Sequence, residues 1–242
     1  MKKSIFINGK ETEYELTVKK VKNINLRIHR DGKITVSANK RVPQKVIEKF
    51  LTDRSDFITS ALERFSQSKV CSFSFDDGET LSLLGRSYVV KNEKSSRIGA
   101  KAFDDGTVVV YTPDNAVKSR RKAVLRLYDE VCAHTVTDMC KEAFKTLKNV
   151  CPDMPEISFR KAKSRWGSCY SVRKKIILNK LLAAAPKECI KYVIYHEFMH
   201  LPHPDHSKAF YASLEKYLPE HKDLKRRLNS YSFVLEFPSE EE

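Results

Sequence analysis

No apolar run in this 242-residue sequence approaches the roughly 18 residues that a membrane span needs, so none is expected. The opening MKKSIFINGK has two lysines at its start but no apolar h-region behind them, so it does not read as a signal peptide. None of the six cysteines (Cys71, Cys132, Cys140, Cys151, Cys169, Cys189) lies in a CxxC pair. Without an export signal, reduced thiols in a cytoplasm are expected rather than a disulfide framework. Seven glycines and nine prolines are too few for a low-complexity or disordered chain. Acidic residues are also short in number, 31 against 45 lysines and arginines, which leaves a net charge of +14. That balance favours anionic partners such as nucleic acid, nucleotides or anionic surfaces, although a basic, solvated surface with no dedicated partner fits it equally. What is present suffices for a folded chain: 41% hydrophobic residues can build a core for one large domain or two modest ones.

The first part reads as strands. Ile24, Leu26 and Ile28 alternate with polar residues, as do Ile34, Val36 and Ala38 beyond Asp31-Gly32. Period-two alternation around Asp-Gly predicts a hairpin. Asp77-Gly78 and Asp105-Gly106 repeat the signal, giving turn-linked strands but no solenoid repeat. Between them, Val46, Ile47, Phe50, Leu51, Phe57, Ile58, Leu62 and Phe65 keep helical spacing behind Pro43, which predicts one long core-covering helix. A second long helix is expected from about Lys118 to Asn149, broken by Cys151-Pro152. His134 on it reads as a packed or exposed side chain rather than a ligand. Two strand-like runs, EISFRKA (156–162) and KKIILNKLL (174–182), then flank SRWGSCYS (164–171). A short helix is expected in SKAFYASLEKYL (207–218), and Ser239 to Glu242 form an acidic tail.

The chemistry concentrates between these last elements. PKECIKYVIYHEFMHL (186–201) is a helix begun by Pro186 and stopped by Pro202, and its middle is apolar nearly all round. Such a helix is buried. A His, a Glu and a second His buried on it are costly unless they are paired or ligate something. His196 and His200 are four apart, so a helix puts both imidazoles on one face, within reach of one ion. Glu197, between them in the pattern His-Glu-x-x-His, is placed to take a proton from water at that ion. A catalytic zinc usually takes three protein ligands and keeps one open position. Candidates for the third are His206, which has a long enough tether to swing back, and His203, only three residues past His200. Asp205 can ligate or orient an imidazole, and Glu215 or Glu220 on the following segment offers another route. Tether length favours His206, with His203 second. In KSRWGSC (163–169), Gly167 allows close backbone approach, and Arg165 or Lys163 can bind an anionic substrate group or a developing oxyanion. The bland alternative is a structural strand beside the site. Cys169 reads as a packed residue, since a cysteine nucleophile would need its own histidine base.

The stretch Phe159–Phe210 resembles the YgjP-like metallopeptidase family. The resemblance rests on KSRWGSC (163–169), Asn179 in ILNKLL, HEFMH (196–200) and His206-Ser207. HRDGKITVSA (29–38) and LLGRSYVV (83–90) are similar to the family's N-terminal part, so the resemblance covers roughly 14–235. Two positions depart from the pattern: Tyr211 stands where the family usually has Trp, and Asp205 where it usually has Asn. The resemblance implies a zincin-like protein related to the SprT and Wss1 groups. His196, His200 and His206 would hold one zinc, Glu197 would be the catalytic base, and Lys163, Arg165, His203 and Asp205 would lie around them. Other divalent transition metals suit such a nitrogen-donor site as well. The expected reaction is hydrolysis of a peptide or protein. Attack on a phosphoanhydride, or proteolysis on a nucleic-acid surface, are the alternatives. The expected fold is α+β: antiparallel hairpins with one long helix over 1–115, a zincin-like α/β region over 116–238, and the tail.

Overall fold

The computed structural model describes residues 2–29, 32–67 and 73–238. Its architecture is mixed α+β. Spatial proximity of the backbone divides the chain into two compact units, Met1–Cys71 and Ser72–Glu242.

The first unit holds strands β1 (Lys2–Ile7), β2 (Lys10–Val18), β3 (Asn25–Ile28) and β4 (Ile34–Ala38), in the order β1-β2-β4-β3. Asn8 and Gly9, at φ 48° and 77°, make the two-residue turn that Asn-Gly favours between twisted strands. The hairpin expected around Asp31-Gly32 is the antiparallel β3–β4 pair, although Asp31 itself lies outside the described residues. One pairing was invisible to local pattern: β2 and β4 run parallel, with Val18 opposite Ala38. Tyr14, Leu16, Val36, Ile47, Leu51 and Ile58 close the core of this unit. The expected single helix is two, α1 (Gln44–Thr52) and α2 (Ser55–Gln67). Only Asp53 and Arg54 separate them, and Asp53, Ser55 and Asp56 around the junction carry side chains that compete for backbone groups and so favour helix ends. Arg54 fixes the break by donating to the Phe50 carbonyl at 3.2 Å and placing its guanidinium 3.9 Å over the Phe50 ring.

The second unit opens with β5 (Thr80–Leu83), β6 (Arg86–Lys94), β7 (Gly99–Ala102) and β8 (Thr107–Thr112), in the order β5-β6-β8-β7. Order and strand senses repeat those of the first unit: antiparallel, parallel, antiparallel. Asp105-Gly106 turns β7 into β8 as expected. Asp77-Gly78 does not join two strands, because Phe73–Asp76 is not extended into one. The turn falls instead at Leu84-Gly85, both at positive φ, where a side chain on Gly85 would come within 2.8 Å of Pro186. These strands, read from sequence with the N-terminal region, group in space with the C-terminal core.

The long helix after them consists of α3 (Val117–Val131), a π-helical turn over Cys132–Val136, and α4 (Thr137–Leu147). His134 sits exposed on that turn. A small sheet follows: β9 (Glu156–Arg160), β10 (Gly167–Tyr170) and β11 (Lys175–Asn179), ordered β10-β11-β9. Then come α5 (Lys187–Met199), α6 (Lys208–Tyr217) and α7 (His221–Ser230), the last not anticipated from sequence. Helix α5 is the hub. It lies against α4, α6, α7 and β10, and Ile190, Val193, Ile194, Phe198 and Met199 are all buried on it. Among the described residues no helix is long and apolar enough to cross a membrane.

The described cysteines are free, and four of the five are buried. Desolvation pushes the Cys132 and Cys140 thiols up to about 12. In the native protein at pH 8, iodoacetamide should therefore leave both unmodified, and modification should appear once guanidinium unfolds the chain. Native-state alkylation of either at the rate of a free thiol would contradict this packing.

Candidate metal centre

Helix α5 ends on the site. Pro186 occupies its N-cap, and nothing polar interrupts its core faces until His196 and Glu197. His200 is the C-cap residue, still in the right-handed helical region at φ −71° and ψ −12°, so it keeps the one-turn spacing from His196. The chain then reverses through Pro202–Asp205. Ser207 starts α6 by accepting a hydrogen bond from the Phe210 amide. That cap fixes the position of His206 one residue earlier.

The reversal brings His196, His200 and His206 together: one nitrogen from each lies within 4.8 Å of the others, a group that can hold a metal ion. The Nε2 atoms of His196 and His206 are 2.9 Å apart. Two imidazole nitrogens bound to one tetrahedral zinc stand about 3.3 Å apart, close to the spacing of this pair. His200 Nδ1 lies 3.1 Å from the His203 carbonyl oxygen. A carbonyl only accepts, so this nitrogen carries the proton and leaves the Nε2 lone pair free for a ligand. Burial pushes the His196 imidazole down to about 3, with the neighbouring His200 and His206 adding to the effect. Burial also lowers His200 from its ordinary value, against the opposing pull of the bond to His203. Neutral imidazoles with converging lone pairs are the state in which histidine ligates metal. The His196 Nδ1 is buried with no hydrogen-bond partner among the described residues. The donor set thus fits one transition-metal ion.

Phe210 supplies a floor that sequence reasoning missed. Fully buried, its ring centroid lies 5.0 Å from that of His196, 4.7 Å from His200 and 4.9 Å from His206. All three imidazoles rest on this one apolar surface. The available signal was its position, four residues past His206 and in the first turn of α6.

Glu197 is buried at 6% exposure, and burial pushes its carboxyl up to about 7, partly offset by the positive charge of Arg165. It packs against the backbone of β10: a Cβ on Gly167 would meet Glu197 Cγ and Oε1 at 2.7 Å. Gly167 is thus the point of close approach, and its partner is this carboxyl. Arg165 and Lys163 are exposed in the loop between β9 and β10. That loop is pinned by Asn179, only 2% exposed, whose Nδ2 donates to the Ala162 carbonyl at 2.7 Å and the Arg165 carbonyl at 2.8 Å. Its Oδ1 accepts from Leu181 N at 3.1 Å, and its own amide donates to the Trp166 carbonyl at 2.8 Å.

The remaining candidates stand apart. His203 Nε2 lies 2.9 Å from Ser213 Oγ, away from the cluster, and the residue touches the site through its carbonyl. Asp205 is exposed and its charge favours protonated His200. Glu215 pairs with Lys222 at 3.4 Å, and Glu220 is the N-cap residue of α7; neither joins the three histidines. Burial pushes the Cys169 thiol up to about 12, with the charge of Glu197 adding to it, which disfavours a thiolate.

Three imidazoles converge beside a buried carboxyl, a set of side chains that could hold one metal ion. The model of the YgjP-like metallopeptidase domain matches residues 22–231, and the chain belongs to that family. No curated protein matches it. Among solved structures, the metallopeptidase zymogen of Methanocaldococcus jannaschii jannalysin aligns with 39% of this chain and 94% of its own, at 22% identity and a TM-score of 0.35.

The contact at Gly167 is open to test. Gly167→Ala puts a methyl group into the space held by the Glu197 carboxyl, and overpacking of this kind costs about 1–3 kcal/mol. Urea unfolding should show that loss. A variant as stable as wild type, with the carboxyl unmoved in its crystal structure, would contradict the contact.

Proposed function

We propose that the protein is a zinc-dependent peptidase in which His196, His200 and His206 hold the ion and Glu197 is the general base. The observation that carries this reading is the meeting of three imidazole nitrogens within 4.8 Å, one residue along α5 from a buried carboxyl. All of these groups fall within 116–238, the region we assign to catalysis. Zinc bound there supplies Lewis acidity, acidifying water and polarising a carbonyl group.

The chain's own residues do the rest. Glu197, when ionised, accepts the proton of the attacking water and returns it to the departing amine. A carboxyl pushed up to about 7 is matched to taking and releasing a proton near neutrality. Gly167 leaves the space in which that carboxyl sits. Arg165, whose charge reaches Glu197, is placed to bind an anionic substrate group or charge developing on a carbonyl oxygen. His203 and Asp205 act from outside, the former by fixing the proton on His200 Nδ1. A peptide suits the site because β10 is the outer strand of its sheet, and such an edge offers unpaired backbone groups to an extended chain.

One set of variants tests ligands and base together. Glu197→Gln should retain one equivalent of zinc and lose at least 100-fold in kcat/KM on unstructured protein substrates such as casein. His206→Ala should lose tightly bound zinc, while His203→Ala should keep it. Full activity of Glu197→Gln would sink the mechanism. Zinc retained by His206→Ala and lost by His203→Ala would sink the ligand assignment. Turnover of nucleoside triphosphates without any of casein would replace the peptide with a phosphoanhydride.

A further inference from the structure

In the first unit, parallel pairing of β2 with β4 sends the segments that follow both strands out at the same end of the sheet. Lys19 N donates to the Ala38 carbonyl at 3.0 Å, which locks the two exits side by side. Together the segments Val18–Lys22 and Asn39–Arg41 line a concavity of about 620 Å³. Five of its eight lining residues are cations, Lys19, Lys20, Lys22, Lys40 and Arg41, and none is acidic. All five are exposed, and no carboxylate among the described residues pairs with them. Helix α1 starts just beyond, with Pro43 at its N-cap, no side-chain cap and no acidic residue in its first turn. Its positive end therefore adds to the same field.

The fold does not require this charge. The second unit repeats the strand order, the parallel central pair and even the locking bond, from Ser95 N to the Thr112 carbonyl at 2.9 Å. There the corresponding segments read Ser95-Ser96-Arg97-Ile98 and Pro113-Asp114-Asn115. They carry one cation and one acid. Identical topology thus folds without a cationic mouth, and five mutually repelling charges around one concavity in the other copy call for an anionic ligand.

We infer that this concavity binds the sugar–phosphate backbone of double-stranded nucleic acid. A duplex presents one negative charge per roughly 1.7 Å of its axis, a density that a cluster of lysines and arginine neutralises with release of counterions. No aromatic residue lines the site, so there is no platform for stacking an unpaired base or a free nucleotide. Four of the eight lining residues are lysines, whose ammonium groups act as point charges toward phosphate, so the contact we infer is to the backbone. The site lies wholly in the first unit, and the inference does not depend on the reaction proposed for the metal centre.

The test is a salt titration of the full chain with a fluorescent 20-base-pair duplex, followed by anisotropy. Five phosphate contacts give a slope of log Kobs against log salt near −4.5, roughly a 500-fold loss between 50 and 200 mM. The loop variant K19Q/K20Q/K22Q/K40Q/R41Q should lose most of that slope and bind at least tenfold more weakly at 50 mM. A charge-matched control, K118Q/K122Q/K148Q/K187Q/K216Q, brings the net charge to the same +9 (14 − 5) and should bind as wild type does. Equal behaviour of the two variants, absence of duplex binding at 50 mM, or loop-dependent binding to phosphatidylserine vesicles without binding to duplex would each overturn the inference. Zinc content and peptidase assays on the loop variant read the metal centre separately.

Discussion

A histidine and a glutamate side by side on the buried part of a helix must stay neutral or find a partner, because an unpaired buried charge costs several kcal/mol. Helix α5 imposes that constraint on His196 and Glu197. Desolvation pushes the imidazole down to about 3 and the carboxyl up to about 7, so near neutral pH the imidazole is uncharged and the carboxyl is poised between its two forms. The same burial that penalises charge strengthens interaction with a cation placed among the lone pairs. The neighbouring parts of the second unit are arranged around this one helix end.

Their arrangement divides into a floor, a strap and a wall. Phe210, anchored by the Ser207 cap, is the floor on which all three imidazoles rest. The Pro202–Asp205 reversal is the strap, and its His203 carbonyl sets the proton on His200. Strand β10 is the wall, where Gly167 admits the Glu197 carboxyl. Asn179 ties the wall's leading loop to β11 by donating three hydrogen bonds, to the Ala162, Arg165 and Trp166 carbonyls. A buried amide used this fully holds a loop in one conformation, and here the loop carries Arg165 toward Glu197. Family membership and donor chemistry point to the same class of reaction.

Local pattern carried the α+β character, most element positions and the helix bearing His196 and Glu197, because period and capping are local properties of the chain. The histidine cluster was legible as a set of candidates: spacing fixed the pair on α5 but left His203 and His206 open, and only the packing of α6 turns one toward the pair and the other toward Ser213. The parallel pairs β2–β4 and β6–β8 were not legible, since they join segments separated by a hairpin excursion and depend on the whole sheet. The break at Asp53-Arg54 was obscured by apolar spacing that continues across it, and the π-helical turn at Cys132–Val136 by a stripe that one extra residue barely disturbs. Asn179 stood out only through the family resemblance, and Phe210 not at all, because the partners of both are distant in sequence or set by packing.

The four-strand arrangement recurs in the two units: in one its mouth is cationic, and in the other α3 packs on β7 and β8. The central claim, a three-histidine site with an open position beside Glu197, is tested most directly by zinc X-ray absorption on the zinc-loaded protein. The account predicts three imidazole nitrogens and one further oxygen at about 2.0–2.1 Å. A sulfur scatterer at about 2.3 Å, or a closed shell of four imidazoles, would contradict it.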